Sequence, residues 1–408
     1  MAIIQDSNTV FHRLDVAEEL ASALLGDNPL FQAGRSGLFL AGPRRTGKST
    51  FLRNDLIPVV EARGALAVYV DLWSDKGSDP AELIAQVVRD KLAAAAGTAA
   101  KTAGLLAKVK KANVKAKLAG FEAELGFEIE TVGRIGGTTL ARAFEGLRRA
   151  TARQIVFILD EAQHALSSVE GSDTLFALKA ARDALNLASD RPGLAILATG
   201  SVRGKISDLV SRKSQAFYGA SVSDFPPLGR DFVQFLLASM LSHRLPKSRL
   251  PDADKVMKAF DLLGRRPEEL AKAIQAAVTR PEADLGDAVS AAAREVHGTI
   301  IEGLRQQVER LPPLQRAILR MMARDDEAFL PFAKASVERY RLETGNEDIT
   351  STTAQKALDA LVRDGLVWRS THGAYALDDE ILADYLFDTE AAQLLSNTPK
   401  RSARKRQS

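Results

Sequence analysis

Two short segments of this 408-residue chain carry residue types that can manage a phosphate chain. The first reads Gly42, Pro43, Arg44, Arg45, Thr46, Gly47, Lys48, Ser49, Thr50 and fits G-x-x-x-x-G-K-[ST] at every fixed position. Glycines at 42 and 47 let the backbone curl so that successive N–H groups point inward at phosphate oxygens, reinforced by the N-terminus of the next helix. All nine residues are expected to bind a nucleoside triphosphate: Lys48 reaches the β and γ phosphates, Ser49 offers its hydroxyl to magnesium, and Thr50 lines the loop with its N–H.

The second segment, Ile155 to Glu161, reads IVFILDE, five apolar residues followed by two carboxylates. A central strand of that kind delivers its acids to the edge of a parallel sheet, where Asp160 holds magnesium and Glu161 is a candidate general base for an attacking water. A strand ending in an acid can also simply cap the next helix, and Asp160 ahead of Ala162 and Gln163 fits that role too. A third strand, Leu194 to Ala198, ends in Thr199, Gly200 and Ser201. Either hydroxyl could touch the γ-phosphate or the attacking water as a sensor of nucleotide state, or Gly200 and Ser201 could serve only the geometry of a turn.

Positioning these groups calls for buried strands and a helix. Gly37 to Ala41 (GLFLA) is a short apolar run, Phe51 to Val60 follow a helical period after the glycine-rich loop, and Ala67 to Leu72 (AVYVDL) is a further strand. The order is strand, phosphate loop, helix, strand, long helical section, acid-tipped strand, helix, polar-tipped strand. That is an α/β core, the three-layer arrangement of P-loop ATPases with an extra strand beside the P-loop strand.

On these residues the chain resembles the AAA+ superfamily, and more narrowly its archaeal-type, STAND-like and origin-recognition-initiator branch. DEAQ at Asp160 to Gln163 looks like that branch's Walker B ending, and ATGS at Ala198 to Ser201 like its sensor strand. Phe11, His12 and Arg13 with Glu18 and Glu19 are similar to its entry segment, at a different spacing. Gly264, Arg265, Arg266, Pro267 and Leu270 are similar to its G-G-x-P-x-x-L lid motif, with Arg265 in place of the second glycine. The resemblance implies that Gly264 and Pro267 lie near the adenine. It also implies a lid arginine, for which Arg265 and Arg266 are substitutes because Pro267 occupies the usual position. A finger arginine would follow an aromatic–glycine pair, but here Phe217, Tyr218 and Gly219 precede Ala220, leaving Arg203, Arg212 and Arg230 as candidates. Loss of such a finger costs about 10³–10⁵ in rate, which argues against fast subunit-coupled hydrolysis.

Composition fits a globular chain of two to three domains: 46% hydrophobic, 26% charged, no cysteine. Disulfides, thiolate metal sites and cysteine nucleophiles are excluded, and five scattered histidines give no metal spacing. No signal pattern or membrane-length apolar run is evident, so a cytoplasmic protein is expected. Net charge is +3, yet Lys400, Arg401, Arg404, Lys405 and Arg406 hold five positive charges in the last residues. This basic tail, 391–408, is expected to be disordered, either a solvated end or a contact for nucleic acid or acidic lipid.

Residues 1–227 are therefore expected to form the ATPase core, 228–299 a helical lid and 300–390 a winged-helix-like domain. Within the core, 91–137 reads as an insertion. Val114 to Ile129 alternate with lysines and glutamates, which predicts a β-hairpin turning near Gly120. After a break at Leu311–Pro313, helices over Leu314–Met322, Lys334–Glu343 and Thr353–Arg363 precede a hairpin, LVWRS to GAYAL, the order of a winged helix-turn-helix. If it reads DNA, Thr352, Thr353, Gln355, Lys356 and Arg363 face the major groove, with Arg369 and His372 on the backbone. Asp359 and Asp364 weaken that electrostatic case, and the domain could instead pack or contact protein. Three functions stay in view: an ATP-hydrolysing switch engaging DNA or a protein partner, a DNA-binding module regulated by nucleotide, and a slow-turnover scaffold that assembles as a homo-oligomer.

Overall fold

The computed structural model describes residues 10–27, 33–75, 77–102, 112–187, 192–201, 203–211, 213–241, 250–279, 284–325, 329–369, 375–379 and 381–388. The chain divides into two compact units, 1–227 and 228–408.

The first unit is built on five parallel strands: β1 (Leu38–Ala41), β2 (Leu66–Asp71), β3 (Ile155–Asp160), β4 (Leu194–Gly200) and β5 (Ser221–Asp224). Their order across the sheet is β2-β3-β4-β1-β5. Strand periodicity of two sends alternate side chains to opposite faces. Phe39, Val68, Val70, Phe157, Leu159, Ile196 and Ala198 enter one core, whereas Leu38, Leu40, Ala67, Val156, Ile158, Ala195 and Leu197 enter the other. Helices cover both faces, which is why β3 and β4 are apolar and buried along their whole length. Register brings the strand ends level, with Asp71 beside Asp160, Leu40 beside Thr199 and Ala41 beside Gly200.

The expected hairpin does not form. Residues Ala112–Leu125 are a helix, Gly120 lies inside it, and a short turn at Ile129–Thr131 follows. The physical reason is composition: the segment is made of alanine, lysine, leucine and glutamate, strong helix formers, with hardly any β-branched residues. Its core contacts come from Leu118, Phe121 and Leu125, a three-and-four spacing that places them on one helical face. The alternation read from Phe127 and Ile129 belongs to the chain after the helix stop at Gly126, where the Gly126 and Phe127 N–H groups both donate to the Glu122 carbonyl.

In the second unit, helices Arg230–Phe235, Ala253–Leu262 and Pro267–Val278 precede a single 25-residue helix, Leu285–Glu309. It runs through the expected boundary at 299–300 and ends just before Leu311–Pro313. Helices Pro313–Asp325, Lys334–Thr344 and Ser351–Arg363 then lead to β6 (Val367–Arg369) and antiparallel β7 (Tyr375–Leu377). Ile318, Leu319, Tyr340, Leu358, Leu361, Val367 and Leu382 form the core of this winged helix. The basic tail, His372 and Arg212 lie outside the described residues.

Candidate nucleotide site

The groups singled out from the sequence of the first unit meet at the C-terminal edge of its sheet. The glycine-rich loop leaves β1 at Gly42, whose N–H donates to the Gly200 carbonyl at the end of β4 (3.2 Å). The loop re-enters a helix at Lys48–Phe51, followed by one widened turn at Leu52–Leu56. Lys48 is buried, and its Nζ donates to the carbonyls of Gly42 and Pro43, both at 2.7 Å. The Thr46 hydroxyl also donates to the Pro43 carbonyl (2.9 Å). An ammonium held at the loop centre by two neutral acceptors is well placed to exchange them for phosphate oxygens.

Asp160 is fully buried at the tip of β3. The Tyr69 hydroxyl of β2 donates to its Oδ2 (2.9 Å) and the Thr199 hydroxyl of β4 to its Oδ1. Thr199 thus meets the carboxylate, and the carboxylate is oriented from both neighbouring strands. Burial first, and then the Asp160 charge, push the Tyr69 phenol above the ordinary tyrosine range. The Arg53 guanidinium lies 4.9 Å from the Tyr69 ring centroid.

Glu161 stands at φ 55°, a left-handed conformation a residue with a side chain seldom adopts. Its Oε2 accepts from the Ser201 hydroxyl (2.7 Å), the Ser201 N–H (3.3 Å) and Gln163 Nε2. Ser201 in turn accepts from Gln163 Nε2 and Arg44 Nε, both at 3.2 Å. The Arg44 guanidinium rests 4.6 Å from the Trp73 ring centroid, and the Trp73 and His164 rings lie 4.9 Å apart. Gly200 is required by this crowding: a Cβ there would meet Gln163 Oε1 at 2.3 Å and the Ile206 side chain at 2.4 Å.

The entry segment docks onto the helix that follows the loop. His12 Nδ1 lies 2.6 Å from the buried Asp55 carboxylate, the Arg13 N–H donates to Asp55 Oδ2 (3.0 Å), and the Arg13 guanidinium covers the Phe225 ring at 4.9 Å.

Sequence reasoning assigned roles to Lys48, Ser49, Asp160, Glu161, Thr199 and Ser201 but none to Tyr69, Trp73 or Gln163. The available signal for Tyr69 was its place two residues before Asp71, on the face opposite the Val68 and Val70 core. For the other two it was a polar or aromatic residue just beyond a buried strand. Gly264 and Pro267 belong to the second unit, at a turn and at the first position of helix Pro267–Val278. Of the candidate arginines, Arg230 pairs with Asp254 (2.5 Å), Arg265 with Asp261 (2.8 Å) and Arg266 with Asp379 (2.6 Å). Arg203 begins helix Arg203–Ser211, but its side chain is outside the described residues.

Solved structures with this architecture include the ADP form of the Aeropyrum pernix ORC2 protein, at 15% identity and TM-score 0.54 over 97% of this chain and 98% of that one. The ADPNP–ADP complexes of the same protein match at 16% identity and TM-score 0.51, over 96% and 98% of the two chains. The chain shares the fold of archaeal ORC proteins. An ORC-like fold is an AAA+ P-loop core followed by a helical lid and a winged helix, and at these identities the likeness speaks for fold alone. No family model and no curated protein sequence matches the chain.

The donor set of the site suits magnesium. Ser49 and Asp160 would supply hard oxygen ligands, two rather than a full cage, as expected where phosphate and water oxygens complete the shell. Among the described residues no cluster of three or more acidic or histidine side chains offers a rival metal site, and no helix is long and apolar enough to cross a membrane.

Proposed function

We propose that the chain is a nucleotide-operated switch that binds ATP with magnesium at loop 42–50, hydrolyses it, and relays the nucleotide state to its winged helix. The observation that supports this most directly is the pairing of a phosphate loop with two acids, Asp160 held by the Tyr69 and Thr199 hydroxyls of its two neighbouring strands and Glu161 by the Ser201 hydroxyl just beyond β4. Magnesium, when bound, supplies charge neutralisation to the terminal phosphates.

The chain's own residues do the rest. Lys48 moves from the Gly42 and Pro43 carbonyls to phosphate oxygens, Ser49 and Asp160 hold the metal, and Tyr69 and Thr199 keep the Asp160 carboxylate aimed. Glu161 takes the proton of the attacking water, and Ser201 and Gln163 fix its direction. Nucleotide binding by the ORC2 protein, seen in its ADP and ADPNP–ADP structures, is consistent with this assignment.

Duplex DNA is the partner favoured for the second unit. On helix Ser351–Arg363, Thr352, Lys356 and Arg363 are exposed on the face away from the buried Ala354, Leu358 and Leu361. The Asp359 carboxylate on that face is already engaged by Gln355 Nε2 (2.7 Å), which tempers its repulsion of phosphate.

Phosphate release tests the switch. Lys48→Ala should lose ATP binding, and Glu161→Gln should keep binding while kcat falls roughly 10²–10⁴-fold. Absence of turnover in the wild type, with and without duplex DNA, would sink hydrolysis. For the DNA arm, a Lys356→Glu/Arg363→Glu variant should weaken salt-sensitive duplex binding and reduce the slope of log K against log salt. Unchanged binding would redirect the helix to a protein partner.

A further inference from the structure

The three described candidate arginines of the lid region are tied to acids of their own unit, and Ala220 stands where a finger would follow Gly219. The phosphate loop, however, carries its own. Arg44 is the third residue of the glycine-rich motif, on the stretch of backbone that curls around the terminal phosphates. Its Nε donates to Ser201 Oγ at 3.2 Å, and that hydroxyl donates to Glu161 Oε2 at 2.7 Å. One hydrogen-bonded link thus separates a guanidinium from the candidate base.

The Ser201 hydroxyl is saturated by this arrangement. It has one proton, given to Glu161, and two lone pairs, accepting from Arg44 and Gln163. A cation on an acceptor lone pair polarises the O–H and strengthens its bond to the carboxylate. Arg44 therefore reports directly on the position of Glu161.

Its other contact is weak and reversible. The guanidinium rests on the face of Trp73, an exposed cation–π contact worth about 0.5–1 kcal/mol. Its two terminal amino groups carry no hydrogen bond among the described residues. They are four N–H donors with no other duty, on the loop that surrounds the phosphates, and guanidinium geometry matches paired phosphate oxygens.

We propose that Arg44 is the cation that stabilises the charge on the transferred phosphoryl group in cis, so that turnover needs no arginine from a second copy of the chain. The inference rests on the ATP-hydrolysis reading above. In the step it serves, the water oxygen bonds to the γ-phosphorus as the bond to the β–γ bridging oxygen breaks. The electron pair of that bond stays with ADP, and the water proton passes to Glu161 and then to solvent. Arg44 spreads the charge on the equatorial oxygens while its Nε holds the Ser201–Glu161 link.

The test uses the full chain. Arg44→Ala should lower kcat about 10³-fold and change the ATP dissociation constant less than about fivefold, and Arg44→Lys should recover part of the loss. Wild-type turnover per chain should not depend on protein concentration. The chain has two tryptophans, so Trp368→Phe leaves Trp73 as the sole reporter. Its emission should change on ATP saturation as the guanidinium leaves the ring, and Arg44→Ala should abolish that change. Retained kcat in both Arg44 variants, turnover that rises with protein concentration, or a Trp73 signal indifferent to ATP would each overturn the assignment. If the wild type binds ATP without turning it over, the hydrolysis reading fails together with this one. If the wild type turns over and the variants match it, only Arg44 is dismissed.

Discussion

Tyr69, half-buried, and Tyr340, fully buried, are placed so that they report on the fold. Tyr69 lies against Asp160, and Tyr340 sits fully buried in the winged-helix core with no hydrogen-bond partner for its hydroxyl among the described residues. Burial is the leading cause that raises both, followed by the charge of Asp160 for the first and of Asp325 and Glu343 for the second. The unfolded chain ionises these phenols around the ordinary tyrosine value of about 10, while the folded chain keeps their protons. Stability from this source is fully present below pH 10 and is lost as pH rises beyond it. A spectrophotometric titration should therefore show the Tyr69 and Tyr340 phenols ionising late, together with unfolding. Ionisation of both phenols ahead of unfolding would contradict the described burial.

At the scale of elements, Gly120 discriminates between the two readings of the segment after residue 111. In a hairpin turn its replacement would be harmful, but in helix Ala112–Leu125 it is exposed and a Cβ there meets nothing within 4 Å. Gly120→Ala should stabilise the first unit by about 0.5–1 kcal/mol, read as a higher urea midpoint. A lower midpoint would restore the hairpin. The strands that carry the site were legible in the sequence because both faces of a parallel sheet are buried. GLFLA, IVFIL and LAILA are therefore apolar throughout, and the last two run straight into Asp160–Glu161 and Thr199–Gly200, the groups proposed to act. The insertion was not legible, since apolar residues two apart occur by chance in a helix whose true stripe is Leu118, Phe121 and Leu125. Nor were the Glu161 contacts with Ser201 and Gln163. Those depend on the left-handed turn at Glu161 and on β4 lying between β1 and β3, and neither leaves a mark in local spacing.

For the molecule as a whole, the second unit is tied together at two places. One is the continuous helix Leu285–Glu309, and the other is the ion pair from Arg266, in the lid turn, to Asp379 beside the wing. Arg266 is largely buried, so Arg266→Ala removes a partly desolvated partner from Asp379. The expected cost is about 1–2 kcal/mol, with faster amide exchange in helix 381–388 and no change in the first unit. Unaltered exchange there would mean that the pair is incidental. The helix itself is anchored at each end and solvated between them: Leu285, Ala288, Val289, Ala292 and Ala293 pack at its start and Val308 at its finish. Its exposed last turns are braced by Arg305, which pairs with Glu302 and Glu309. Such a rod is roughly 37 Å long at 1.5 Å per residue, so a tilt of about 10° at Leu285 sweeps Glu309 through roughly 6 Å. We propose that it serves as a lever arm, in which a rotation of that size at the lid end would carry the far end of the rod by more than one helical pitch.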